Sequence, residues 1–304
     1  PNTIGQSDFN QAVINGTTYD IVDYATDESW GPRYDPNRLV LHWDAFDPEF
    51  ASDYLTPRAW VYPKVDKEDF FNTGVSVNNG VAFSYGNDKT QSRFSVNNTQ
   101  SKGIVPNSEL DKTTLNFNGS TKISDKIQIN SSVNFSITDG YNRPAVGYSG
   151  NSVILQFFQF GQTQLDYDRL KNYVLSDGTQ RTWNRTAFDN PVPRFTDNPY
   201  WILNNNIAKD RRTRFYGNIG LKYDLNDDLF FTAKVYGDSY DSRISTQIAE
   251  GSQSQSLYTE ANRDFLELNY EFILNYKKTL FGDKISLDAF VGANRRDNKF
   301  FSLQ

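Results

Sequence analysis

The sequence predicts an all-β chain, a segment of an antiparallel transmembrane β-barrel with about eight long strands and long extracellular loops. Three observations carry this: alternation of apolar and polar side chains, the length over which it runs, and short turns at one end facing long links at the other. The stretch "SDKIQINSSVNFSITDG" (124–140) shows the first. It sets Ile127, Ile129, Val133, Phe135 and Ile137 on one side of a strand and Gln128, Asn130, Ser132, Asn134, Ser136 and Thr138 on the other. Such runs are more than twice the about five to six residues usual for soluble-domain strands.

Residues 1–71, rich in Asp, Tyr, Trp and Pro, read as an extracellular loop region, and 72–304 as the partial barrel. A first strand near 73–86 alternates Val75, Val77, Val81, Phe83 and Tyr85 with Ser76, Asn78, Gly80, Ala82 and Ser84. The turn "GNDK" leads to a second strand near 90–102, and "KGIVPNSE" links it to a third near 110–123, where Leu115, Phe117 and Ile123 oppose Lys112, Asn116, Asn118 and Lys122. "SDK" then turns into the fourth, 127–139. A long extracellular loop, 140–210, follows, with room for a short helix in 152–175. The fifth strand, 211–225, sets Phe215, Ile219, Leu221, Tyr223 and Leu225 against Arg212, Arg214, Asn218, Lys222 and Asp224. "LNDD" leads to the sixth, 229–241, and a link of about 242–263 to the seventh, 264–279, with Leu266, Leu268, Tyr270, Phe272, Leu274 and Tyr276 on its apolar side. "FGDK" turns into the eighth, 284–299, carrying Ile285, Leu287, Ala289, Val291 and Ala293. Tight polar turns on one side and long loops on the other are the plan of an outer-membrane barrel. Tyr85, Tyr223, Tyr276 and Phe281 lie beside the short turns, the place of an interfacial aromatic girdle.

Composition narrows the function. Aromatic residues are 15% of the chain and the formal charge is only -6, which fits neither a disordered segment nor a nucleic-acid binder. With no cysteine the chain offers no disulfide framework and no thiolate metal site, and its one histidine, His42, leaves few routes to zinc or to His-dependent catalysis, so no enzyme activity and no cofactor are expected. No run approaches the ~18 apolar residues of a membrane-spanning helix, so contact with a bilayer is expected through strands. The chain opens at Pro1 and ends at Gln304 straight after a strand-like run, and is expected to be a piece of a longer protein.

Candidate binding residues are few. Trp30, Trp43, Trp60, Trp183 and Trp201 all fall in the loops, as contacts for substrate or a lid protein, or as pins holding the loops to one another. Arg212, Arg214, Lys222, Lys234, Glu267, Glu271 and Lys277 line a polar strand face of mixed sign, expected to be a salt-bridged lumen wall and not a single-sign filter. "DYATDES" (23–29) and "YDPNR" (34–38) carry oxygen donors for Ca²⁺ without EF-hand spacing.

The run 69–136, with its "DFFNTG" opening, Gly-Asn turn, "KGIVPN" at 102–107 and "STKISDKI", resembles the early barrel of SusC/RagA-type TonB-dependent outer-membrane transporters of Bacteroidetes. "TDESWGPRYD" (26–35) and "NPYWILNNNIAKDRRTRFYGNIGLKYDLND" (198–227) look like further signatures in the expected order. The resemblance implies a stretch of a 22-stranded barrel in the bacterial outer membrane. It further implies TonB coupling through a plug region not found in these residues, a SusD-like surface lipoprotein as partner, and import of large nutrients such as oligosaccharides or peptides. Two edges of such a sheet need cover, supplied by the rest of the barrel or, for a barrel captured during assembly, by the outer-membrane assembly machinery. Alternative expectations are a self-contained eight-stranded barrel with a structural or adhesive role and a secreted carbohydrate-binding β-sandwich.

Overall fold

The computed structural model describes residues 8–24, 26, 29, 31–282 and 284–304. Two hairpins lie before the long strands: β1 (Asn10–Ile14) with β2 (Thr17–Ile21), and β3 (Asp35–Val40) with β4 (Arg58–Trp60). The wall follows, as β5 (Val75–Gly86), β6 (Thr90–Lys102), β7 (Glu109–Lys122) and β8 (Ile127–Tyr141). Residues 142–207 carry α1 (Val153–Leu155), which runs into a π turn at Gln156–Phe160, then α2 (Tyr167–Leu170), β9 (Arg185–Ala187), β10 (Asn190–Pro193) and α3 (Pro199–Asn205). The wall resumes with β11 (Ala208–Asp224), β12 (Leu229–Ile248), β13 (Leu257–Leu280) and β14 (Ile285–Leu303). All eight long strands form one antiparallel sheet ordered β14-β13-β12-β11-β8-β7-β6-β5.

The turns are built as their residues dictate. Asn87 Oδ1 accepts the Lys89 and Thr90 amides, and Asn226 Oδ1 accepts those of Asp228 and Leu229, so two turns close by the same side-chain device. Phe281 and Gly282 both adopt left-handed φ, the requirement of a tight hairpin between β13 and β14. At the other end the strands run further than their alternation suggests. β12 reaches Ile248 and β13 starts at Leu257, so the expected link 242–263 shrinks to 249–256. The added segments, "SRISTQI" (242–248) and "LYTEANR" (257–263), put their apolar residues Ile244, Ile248, Leu257 and Ala261 on the face that is polar nearer the turns, which breaks the apolar signal without breaking the ladder.

Two alternatives fall here. β5 and β14 are the two ends of the sheet order and do not pair, so the eight strands make an open wall and not a closed small barrel. No second long sheet among the described residues packs on either face, so there is no sandwich. No hydrophobic side chain of the eight wall strands is buried, and Val81, Phe83 and Val291 remain 67–71% exposed.

The core lies instead at the loop end. The described residues of 8–71 and 142–207, with Val105 from the β6–β7 link, pack into a compact cap around Val22, Val40, Phe70, Phe157, Leu165, Leu170, Ile202 and Leu203. Phe70 contacts Phe71, Phe157, Tyr167 and Tyr200 edge-on, with ring centroids 4.9–5.9 Å apart. Helix α3 joins this cap to the wall. Asn198 caps its N-terminus by accepting the Tyr200 amide, and Pro199 follows at its first position. At its other end the Leu203 carbonyl accepts from Asn107 at 2.6 Å and Asn142 at 2.8 Å, one from each neighbouring loop. Asn206 Oδ1 accepts the Ala249 amide and the Ser252 hydroxyl, tying in the β12–β13 link. One short Asn-rich helix therefore fastens three loops.

Leu170→Ala removes a fully buried side chain from the cap and leaves the wall untouched. The expected loss is about 2–5 kcal/mol. Limited proteolysis should cut 142–207 faster while the strands stay protected.

Candidate functional site

The wall presents two unlike faces, and the register locates every residue on them. On the apolar face the run in β5 spans Val75 to Tyr85, whereas in β14 it spans Ile285 to Ala293. One register row connects Tyr85 through Ser92, Gly119, Ser131, Ile219, Val235 and Tyr270 to Arg295. The turn-side end of the β5 run is thus level with the first charged residue above the β14 run. Arg295, Asp297 and Lys299 then interrupt β14 before Phe301 and Leu303. An apolar belt that crosses the rows obliquely is what tilted strands produce when the belt itself stays level. At about 3.4 Å per residue the β5 run is roughly 34 Å long, or about 24 Å in height at a tilt near 45°. Towards the loops this face turns ionic: Arg211 pairs with Asp139 at 3.3 Å and Arg243 with Glu260 at 2.6 Å.

The polar face brings together Arg212, Arg214, Lys222, Lys234, Glu267, Glu271 and Lys277, since the register puts all seven on one side. Arg214 donates two bonds to Asp238, at 2.9 and 2.6 Å. Glu267 accepts from Arg296 at 2.7 Å. Lys222 pairs with Asp224 at 2.8 Å and Lys277 with Asp288, directly opposite, at 3.1 Å. Lys234 and Glu271 face each other in register without a close pair. Arg212 lies over the Tyr240 ring at 4.2 Å, and Tyr240 stacks on Phe265. The partners Asp238, Asp288 and Arg296 were within reach of parity counting from the nearest turn.

The tryptophans separate the two expectations held for them. Trp43, Trp60, Trp183 and Trp201 are only 1–4% exposed, so they fill the cap and present no face to a ligand or lid. Trp60 packs on Phe9, Tyr34 and His42, and Trp201 donates to Ser252. Trp30 lies outside the described residues. A sequence shows that a loop holds tryptophan but not that the loop has a core of its own. Of the Ca²⁺ donors named from sequence, Asp27 and Glu28 lie outside the described residues and Asp35 accepts the Asn37 amide; among the described residues no group of three or more His, Cys, Asp or Glu gathers.

Charge is buried in the cap. Asp47 accepts from Arg181 Nε at 2.7 Å and Arg185 Nη1 at 2.8 Å, all three nearly solvent-free. Arg181 also lies over the rings of Phe50 and Trp43. Asp44 binds Arg58 and Arg169; burial opposes its ionisation, but those guanidinium bonds outweigh it and hold its carboxyl below the usual range. His42 is neutral: burial, with the Arg58 charge, pushes it down to about 4, and its Nε2 has no partner. These groups hold cap segments together.

No family model matches the chain, and no curated protein does. Solved structures of a peptide importer, RagAB, share the fold. Its closed-closed state aligns with a TM-score of 0.51 at 12% identity, over 78% of this chain and 31% of that one. The open-open state gives 0.53 at 14% identity over 76% and 25%, and a third structure, described as the RagAB peptide transporter, 0.53 at 13% over 75% and 25%. The chain spans about a quarter to a third of the length of these neighbours and shares its fold with that section of a transporter barrel.

Because the folded imidazole of His42 titrates near 4, below the usual 6.5, the unfolded cap takes up the proton first as pH falls. Its contribution is complete above pH 6.5 and is lost between 6.5 and 4, about 3 kcal/mol at roughly 1.4 kcal/mol per unit. Cap stability, followed by pulse proteolysis, should fall that much more steeply from pH 7 to 4 than in His42→Phe. Equal slopes would remove His42 as the cause.

Proposed function

We propose that this chain is wall and outer cap of a TonB-dependent importer in the bacterial outer membrane, taking up large nutrients such as oligosaccharides or peptides with a SusD-like surface lipoprotein. The observation that carries the reading is the oblique apolar belt, on a face with no protein cover among the described residues and a height near the about 25 Å of an outer-membrane barrel. A soluble sheet has no reason to shift its apolar run from row to row, because a protein core follows the register. In this reading the polar face lines the lumen, where hydrated ion pairs are tolerated, and the cap sits over the loop end outside the cell. The chain performs no covalent chemistry: cargo is captured outside, and TonB pulls a plug region aside to open the lumen. Support for the partners is the early-barrel resemblance together with the shared fold.

Nitroxide labels at 85 and 295 test the belt. They occupy one register row, yet oxygen collision should place the first inside the bilayer and the second in water. Equal accessibility would return the sheet to a soluble protein. Val291→Arg, in the β14 belt, should cost about 2–4 kcal/mol of folding in lipid vesicles, whereas Asn298→Arg on the polar face should be nearly silent.

A further inference from the structure

One register row of the polar face differs from its neighbours. It runs Asn78, Thr99, Lys112, Thr138, Arg212, Ser242, Arg263 and Ser302 from one sheet edge to the other. Cations alternate with hydroxyl residues along it, and no carboxylate stands on it. Successive cations are two strands apart, about 10 Å. Lys112, Arg212 and Arg263 are all exposed, and none has an ion pair among the described residues. The nearest carboxylate on this face, Asp210, is engaged by Arg143 at 2.9 Å. Closer to the turns the same face is neutralised, with Arg214 on Asp238, Arg296 on Glu267 and Lys277 on Asp288. The row therefore carries unbalanced positive charge at the loop end of a face where four ion pairs lie nearer the turns.

We propose that this row is a binding surface for carboxylate-bearing, polyanionic solutes at the mouth of the lumen. It rests on the reading of the polar face as a lumen wall. Guanidinium forks pair with carboxylates in two parallel bonds, and the intervening threonine and serine hydroxyls supply further donors. A wall curved around the row focuses its field on what enters. The adjoining row carries the Tyr240–Phe265 stack, 5.2 Å between centroids, and Phe300, an apolar surface on which the body of such a solute can lie. A neutral solute draws nothing from the excess charge, and a cationic one is repelled.

The test uses the native full-length protein in detergent, with calorimetric titration of oligoglutamate, oligogalacturonate and maltoheptaose at low and high salt. At least one anionic oligomer should bind, more weakly in high salt, and Lys112→Gln, Arg212→Gln and Arg263→Gln should each weaken it about threefold. Binding of oligoglutamate alone assigns an acidic peptide, of oligogalacturonate alone an acidic saccharide, and of both carboxylate density alone. Unchanged affinity in the triple variant, or no anionic binding at low salt, overturns the proposal. So does a triple variant altered only in thermal stability, because an acidic segment of the same protein then occupies the row. The nitroxide depths separate the two failures: if they hold while binding is absent, only this row is at fault; if they fail, the lumen reading falls with it.

Discussion

A long strand has two faces, and its backbone must be paired along its whole length whatever those faces meet. That constraint organises this protein. The six inner strands are paired on both sides, and β5 and β14 on one, through a continuous antiparallel ladder, which frees the side chains to answer to two different surroundings. The apolar face then holds no buried hydrophobic side chain, and the polar face holds paired charges. Neither face is a core in the usual sense, and the stability that a core supplies is concentrated in the cap.

The cap and the wall are different kinds of structure joined at a few atoms. Wall strands are held by neighbours one connection away, the connection from β8 to β11 being the segment 142–207. The cap is held by aromatic packing around Phe70, by Asp47 between two arginines, and by Asp44 between two more. Replacing one member of such a buried cluster leaves the others uncompensated, so these clusters specify which loop segments meet as much as they stabilise their meeting. Helix α3 transmits position between the two parts, since Leu203 and Asn206 are bonded to all three neighbouring links. The segment that resembles a family signature, 198–227, is thus this helix and the strand it starts.

Alternation made the sheet legible from sequence, because strand parity is local: Phe215 and Arg214 declare their faces without knowledge of any distant residue. The turns were legible for the same reason, through Asn87 and Asn226. The cap was not. Trp60 and Trp183 are buried by residues scattered across 8–71 and 142–207, and no short pattern marks them as core. The strand extensions of β12 and β13 were hidden because their apolar residues, Ile244, Ile248, Leu257 and Ala261, fall on the side opposite the belt. Lys112 and Arg263 were visible as residues, but their alignment with Arg212 needs the register of four intervening pairings.

The cap's bonds span great lengths of chain. Asn184 donates to the Tyr24 carbonyl 160 residues away, and Arg181 reaches Asp47 across 134. Closing such loops is entropically slow unless something first brings their ends together. The hairpins β5–β6 and β7–β8, each with a tight turn, can form early and deliver the roots of 8–71 and 142–207 to one place. Contact order therefore makes the cap a late folding step, and its protection against protease a timer for the completion of the strands beneath it.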